Sequence, residues 1–174
     1  MNWAVKLILL GVVVLAIAST TTAPVDPEVY VEYSEETISS APPSVQMYHY
    51  IRKYAREYDI PEEYAFSVAY QETGYRGPLH FTYQPNQTSF AGAKGAMQIM
   101  PATAAYIQGK RVSDRQLLYD IELNVLISMK LLRRLKRQYK DWGLAFGAYN
   151  TGRPCVNEYA RKVLNQHYNW ITSI

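Results

Sequence analysis

Apolar residues recur three and four positions apart along most of the chain beyond residue 44, which is the spacing of one helix face. Ser44 followed by "VQMYHYIRKYAREY" predicts a capped helix with Val45, Tyr48, Ile51, Tyr54 and Ala55 on one side. Residues 61–73, "PEEYAFSVAYQET", open with a proline and two acids, which suit the positive end of a helix, and stop at Gly74. Helical patterns return at about 96–108, 114–119, 121–139, 142–149 and 156–167, and the stripe of the longest is Ile121, Val125, Met129, Leu132, Leu135 and Tyr139. From Gly74 to Gly95 the chain is turn-rich and aromatic and reads as a long loop. Strand alternation is confined to "VYVEY" at 29–33. The pattern therefore predicts an all-α, or mainly α, domain with a small irregular or β-like loop between residues 75 and 95, and no internal repeat.

The first 45 residues read differently. Lys6 precedes an apolar run from Leu7 to Ala18, and small residues follow to Ala23, the order of an export signal. The run is 12 residues, against the roughly 20 that an untilted membrane helix needs, so residues 1–23 read as a cleaved signal peptide or an N-terminal membrane anchor. Residues 24–45 are rich in Ser, Thr, Pro and acids, the composition of a disordered acidic linker. Residues 46–174 remain as one domain.

Charge divides along the same line. The domain holds 17 of the 18 Lys/Arg and 10 of the 15 Asp/Glu, a net charge of +7, which suits an anionic partner. Much of it lies in Lys130, Arg133, Arg134, Lys136, Arg137 and Lys140, interleaved with leucines, and reads as the solvated face of an amphipathic helix. No nucleic-acid-binding spacing accompanies this block, so no nucleic-acid partner is expected. Cys155 is the one cysteine, which excludes an internal disulfide, and it reads as a packing residue. His49, His80 and His167 share no ligand spacing, so neither a metal site nor a cofactor is expected.

The helix at 61–73 carries the candidate chemistry. Glu72 follows Ala65, Val68 and Ala69 by seven, four and three residues, which puts the acid on the face that docks the helix, half-buried. A structural acid there needs a cation, for which Arg76 is the candidate. A catalytic acid instead needs apolar surroundings that keep its proton on near neutrality.

"QET" at 71–73, "GAKGAMQIMPATA" at 92–104, "AYNTG" at 148–152 and "NEYARKVL" at 157–164 occur in that order. This series resembles the soluble lytic transglycosylase family, whose domain is a goose-lysozyme-like helical fold, and the resemblance covers about residues 46–168. It implies that Glu72 is the sole catalytic acid, with Thr73 where the family usually has serine. It implies glycan or site contacts for Ser89, Gln98, Met100, Tyr149, Asn150 and Tyr159, with the Tyr149 hydroxyl orienting the glutamate, and it puts Gly95 and Met97 along the glycan cleft. Ala96 replaces the usual leucine. Glu122 and Asn124 in "DIELN" match a structural element, with Ile121 in the place of a proline. Glu72 and Gly95 lie 23 positions apart, several more than is usual in the family, and Phe81 and Tyr83 in the lengthened loop are candidates for stacking on sugars.

Packing roles stay open beside these. Tyr149 and Tyr159 belong to a chain with 16 tyrosines, one of Met97 and Met100 is expected in the core, and Asn150 can cap a turn. The implied reaction is cleavage of the MurNAc-GlcNAc bond of peptidoglycan glycan strands with closure of a 1,6-anhydro ring, by an exported protein of the periplasm or cell envelope, or one carried on a virion. A goose-type hydrolase and a non-catalytic wall-binding or assembly component are the alternatives. Secretion, conjugation and phage assembly systems would all use such a protein, and no residue chooses among them as partners.

Overall fold

The computed structural model describes residues 34–166. The apolar run, "VYVEY" and His167 lie outside the described residues. Among these the chain forms eight helices and no strand: α1 (Glu35–Ser39), α2 (Pro43–Glu57), α3 (Glu62–Thr73), α4 (Pro101–Gln108), α5 (Asp114–Tyr119), α6 (Ile121–Tyr139), α7 (Trp142–Thr151) and α8 (Glu158–Asn165). The mainly α expectation agrees with this architecture.

Packing starts earlier than the linker composition suggests. Ser34 caps α1 by accepting a hydrogen bond from the Thr37 backbone, and α1 buries Ile38 against the rest of the domain. Helix α2 starts at Pro43, whose fixed φ suits a first helical position, so Ser44 is not a cap. The Ser44 side chain is buried and donates to the Pro78 carbonyl at 2.9 Å. The buried stripe of α2 is Met47, Tyr50, Ile51, Tyr54 and Ala55, with Val45 and Tyr48 only half-buried.

Helix α3 is enclosed along its middle. Ala65, Phe66, Ser67, Val68 and Ala69 are consecutive and all fully buried, because α3 packs between α2 and α8. Helix α6 is the other organising element and packs against α2, α4, α5 and α7. Its predicted stripe holds for Ile121, Val125, Met129 and Leu132, while Leu135 and Tyr139 are half-buried near its end. Its basic residues face outward: Arg133 pairs with Asp59 at 3.0 Å, Arg134 stacks on and hydrogen-bonds Tyr106, and Lys136 lies over the Trp142 ring. Cys155 is exposed rather than the packing residue expected, in the exposed connection between α7 and α8.

The long loop continues past residue 95. Thr88 pairs with Lys94 and Lys94 with Ile99 in isolated antiparallel bridges, so residues 95–99 form a tight turn where a helix beginning near 96 was expected. Pro101 sets the actual start of α4. Asn124 of α6 holds the turn: its amide donates to the Lys94 and Leu117 carbonyls at 2.9 and 2.8 Å, and its oxygen accepts from the Met97 N–H at 2.8 Å. A Cβ on Gly95 would lie 1.9 Å from the Leu117 oxygen and 2.3 Å from the Asn124 amide, and its φ is +78°, so only glycine fits there.

Candidate active site

Glu72 lies in the last turn of α3, which Gly74 ends in a left-handed conformation. Small residues upstream let α8 approach α3 closely, and Asn157 fixes the start of α8 by accepting from the Ala160 backbone at 2.9 Å. That brings Tyr159, in the first turn of α8, over the end of α3. Its hydroxyl donates to Glu72 Oε1 at 2.6 Å. Two further bonds hold the end of α8 to α3: Gln71 Nε2 donates to Gln166 Oε1 at 2.6 Å, and Ser67 Oγ to the Gln166 carbonyl at 3.3 Å.

Glu72 is half-buried, and burial pushes its carboxyl up to about 7, against the opposing effect of the Tyr159 hydrogen bond. Among the described residues no cation offsets the burial. Arg76 is exposed and makes no ion pair with Glu72 among the described residues. No second carboxylate among the described residues acts on Glu72 either, and desolvation is what raises it. Tyr159 is held well above its ordinary range by its own burial and then by the Glu72 charge, which keeps its hydroxyl a donor.

The other predicted residues divide by position. Tyr149 does not orient the carboxyl directly: its hydroxyl donates to the Met97 carbonyl at 2.8 Å and lies 2.9 Å from Ser128 Oγ, so its hydrogen bonds hold the 95–99 turn. Burial and the nearby Glu72 charge raise Tyr149 well above its usual value, so it remains within electrostatic reach of the acid. Gln98, with φ at +50°, closes the turn by donating to the Gly95 and Gln87 carbonyls at 3.0 and 3.2 Å. Ser89 accepts from the Ala93 N–H at 3.0 Å and shapes the preceding turn. Met97 is fully buried and belongs to the core, whereas Met100 is 41% exposed. Asn150 is exposed and accepts from the Asn157 amide at 3.1 Å, linking α7 to the cap of α8 rather than capping a turn. Phe81 is exposed, but Tyr83 is buried and unable to stack on a sugar.

Sequence reasoning missed the contacts of Tyr83, Ser128 and Gln71. Gln71 carried a signal, as the first residue of "QET". Two open grooves, of about 680 and 560 Å³, lie along the outward side of α6 between Arg133 and the residues around Tyr58 and Ile60, and Glu72 lines neither. Among the described residues no three His, Cys, Asp or Glu side chains converge as metal ligands. The arrangement offers one carboxyl, able to give or take a proton near neutrality, beside a turn built from the Gly95–Ile99 segment.

The transglycosylase SLT domain model matches residues 49–171. No curated protein sequence matches the chain. Among solved structures, the 70-kDa soluble lytic transglycosylase of Escherichia coli aligns with a TM-score of 0.52 and 29% identity, covering 67% of this chain and 18% of that one. The complex of the 70-kDa soluble lytic transglycosylase with bulgecin A aligns with the same TM-score, identity and coverage. The chain thus spans under a fifth of the length of these structures.

Proposed function

The chain belongs to the transglycosylase SLT domain family, and from that membership we propose that it is a peptidoglycan lytic transglycosylase in which Glu72 alone performs the acid and base steps. The observation that carries this reading is a half-buried carboxyl with a pKa of about 7, one tyrosine hydrogen bond and, among the described residues, no charged partner of either sign. A group with that pKa populates both protonation states at neutrality, so it can serve twice in one turnover.

In the first step Glu72 gives its proton to the oxygen linking MurNAc to GlcNAc as that C–O bond breaks. Negative charge then forms on Glu72, where the Tyr159 hydroxyl already points. In the second step the carboxylate takes the proton of the C6 hydroxyl of the same MurNAc unit while O6 bonds to C1. The 1,6-anhydro ring closes and Glu72 regains its proton. Water takes no part, which suits a site without a second carboxylate to activate it.

The glycan strand would run past the 95–99 turn, with Gln98, Met100 and Asn150 as direct contacts, and with Ser89 and Tyr149 acting through the backbone they hold. The bulgecin A complex of the similar enzyme leads us to expect that bulgecin A binds this cleft. The apolar run at 7–18 supports export to the periplasm or cell envelope.

Mass analysis of fragments released from purified peptidoglycan tests the proposal. Anhydro-MurNAc ends support it. Ends heavier by one water would identify a goose-lysozyme-type hydrolase, and no release at all would favour a wall-binding component.

A further inference from the structure

Three departures from the family pattern meet at one point. Thr73 stands in place of serine, Ala96 in place of leucine, and Tyr83 comes from the lengthened loop. Tyr83 Oη lies 2.7 Å from Thr73 Oγ1, and Thr73 Oγ1 donates to the Ala96 carbonyl at 2.8 Å. A threonine hydroxyl has one proton, and its carbonyl acceptors are Ala96 at 2.8 Å and, more distant, Ala69 of its own helix at 3.3 Å, so with that proton on a carbonyl it is Tyr83 that donates to Thr73. Burial raises the Tyr83 phenol above its usual value, which keeps it a donor. Ala96 is 1% exposed, and leucine there would need room for three more carbons in an enclosed space.

The loop that supplies Tyr83 is itself anchored. The Tyr83 ring packs edge-on against Tyr75 with 5.0 Å between centroids, and the Tyr75 hydroxyl donates to the Ser44 carbonyl of α2 at 2.7 Å. One ring contact and the Tyr83 and Thr73 hydroxyls therefore link a fixed point on α2 to Thr73, the residue after Glu72, and on to Ala96, the residue before Met97. Met97 is the residue whose backbone Tyr149 and Asn124 hold.

We propose that Tyr83 is a positioning residue, and that the lengthened loop braces the carboxyl-bearing end of α3 against the 95–99 turn through the Thr73 hydroxyl. The proposal rests on the reading of Glu72 as the acid. Without the brace the last turn of α3 shifts against the cleft, and water gains access to the carboxyl.

The test uses the full chain with Tyr83→Phe, Thr73→Val, Thr73→Ser and the Tyr83→Phe/Thr73→Val pair, assayed on soluble glycan strands across pH. Tyr83→Phe and Thr73→Val should each lower kcat about tenfold with KM within about twofold. The alkaline limb of the rate profile should move to lower pH, because a better-hydrated Glu72 loses its proton more readily. Thr73→Ser should recover most of the rate, and the pair should be no worse than the poorer single variant. Turnover per folded molecule near the wild-type level in Thr73→Val, with an unmoved pH limb, would overturn the brace whether or not Tyr83→Phe folds. Full activity of Glu72→Gln would instead overturn the reading of Glu72.

Discussion

Glu72 and Glu122 differ in everything except their closest contact. Each accepts a tyrosine hydroxyl at 2.6 Å, from Tyr159 and Tyr54 respectively. Glu122 stands in the first turn of α6, where the helix dipole favours negative charge, and also meets Lys53 at 3.0 Å. Burial alone would push it up, but the tyrosine and lysine bonds and the lysine charge outweigh that and hold it below its ordinary value. Glu72 stands in the last turn of α3, where the dipole disfavours negative charge, meets no cation among the described residues, and rises to about 7. A tyrosine donor therefore does not decide which way the pKa of an acid moves. The helix end and the missing cation do.

The largest expected effect follows from exchanging each acid for its amide. Glu72→Gln should remove at least about 100-fold of the activity with the helical circular dichroism kept, because the amide fits but transfers no proton. Glu122→Gln should leave turnover nearly unchanged and lower the melting temperature, since Lys53 and Tyr54 lose a charged acceptor. A folded, fully active Glu72→Gln variant would reverse the comparison.

Stability should separate the two acids next. The native carboxyl of Glu72 holds its proton up to about pH 7, whereas an unfolded glutamate releases it near its ordinary 4.5. The native state thus loses on the order of 3 kcal/mol as pH rises from about 4.5 through 7, and Glu72→Gln escapes that loss. The melting-temperature gain of Glu72→Gln over the wild type should be larger at pH 8 than at pH 5. Glu122, with its pKa lowered, has the opposite sign: its contribution is present above its unfolded pKa and disappears as pH falls.

A smaller effect is expected at the tyrosines. Tyr159→Phe removes the one bond that lowers the Glu72 pKa, so the alkaline limb of the rate profile should move up in pH while the maximal rate falls roughly 10- to 100-fold. Tyr54→Phe should leave the profile in place. Smallest is Tyr149→Phe, whose hydroxyl holds the Met97 carbonyl and not the acid: about 1–2 kcal/mol of stability should be lost, with a rate loss below that of Tyr159→Phe. An unchanged turnover would remove Tyr149 from the site.

Much of this contrast was legible in the sequence. The small apolar residues at 65, 68 and 69 put Glu72 on a buried face, and the periodic apolar stripe of 121–139 located α6 to the residue. Residues 34–45 were not legible, because a polar, proline-rich composition hides the two side chains that anchor them, Ile38 and Ser44. The start of α4 was obscured because residues 96–100 are as apolar as a helix, while Asn124, 24 residues downstream of Met100, holds the segment as a turn. That Tyr159 is the tyrosine bonded to Glu72 was hidden for a similar reason. Which hydroxyl reaches an acid depends on the approach of α8 to α3, and spacing along the chain carries no record of it.

The most direct measurement is an NMR titration of the chain labelled with ¹³C at glutamate side-chain carboxyls, following Glu72 and Glu122 in one sample and assigning them by the two amide variants. Glu72 should titrate near pH 7 and Glu122 below its ordinary 4.5. Two carboxyls titrating together near 4.5 would contradict the account, since Glu72 would then carry no proton to give at neutrality.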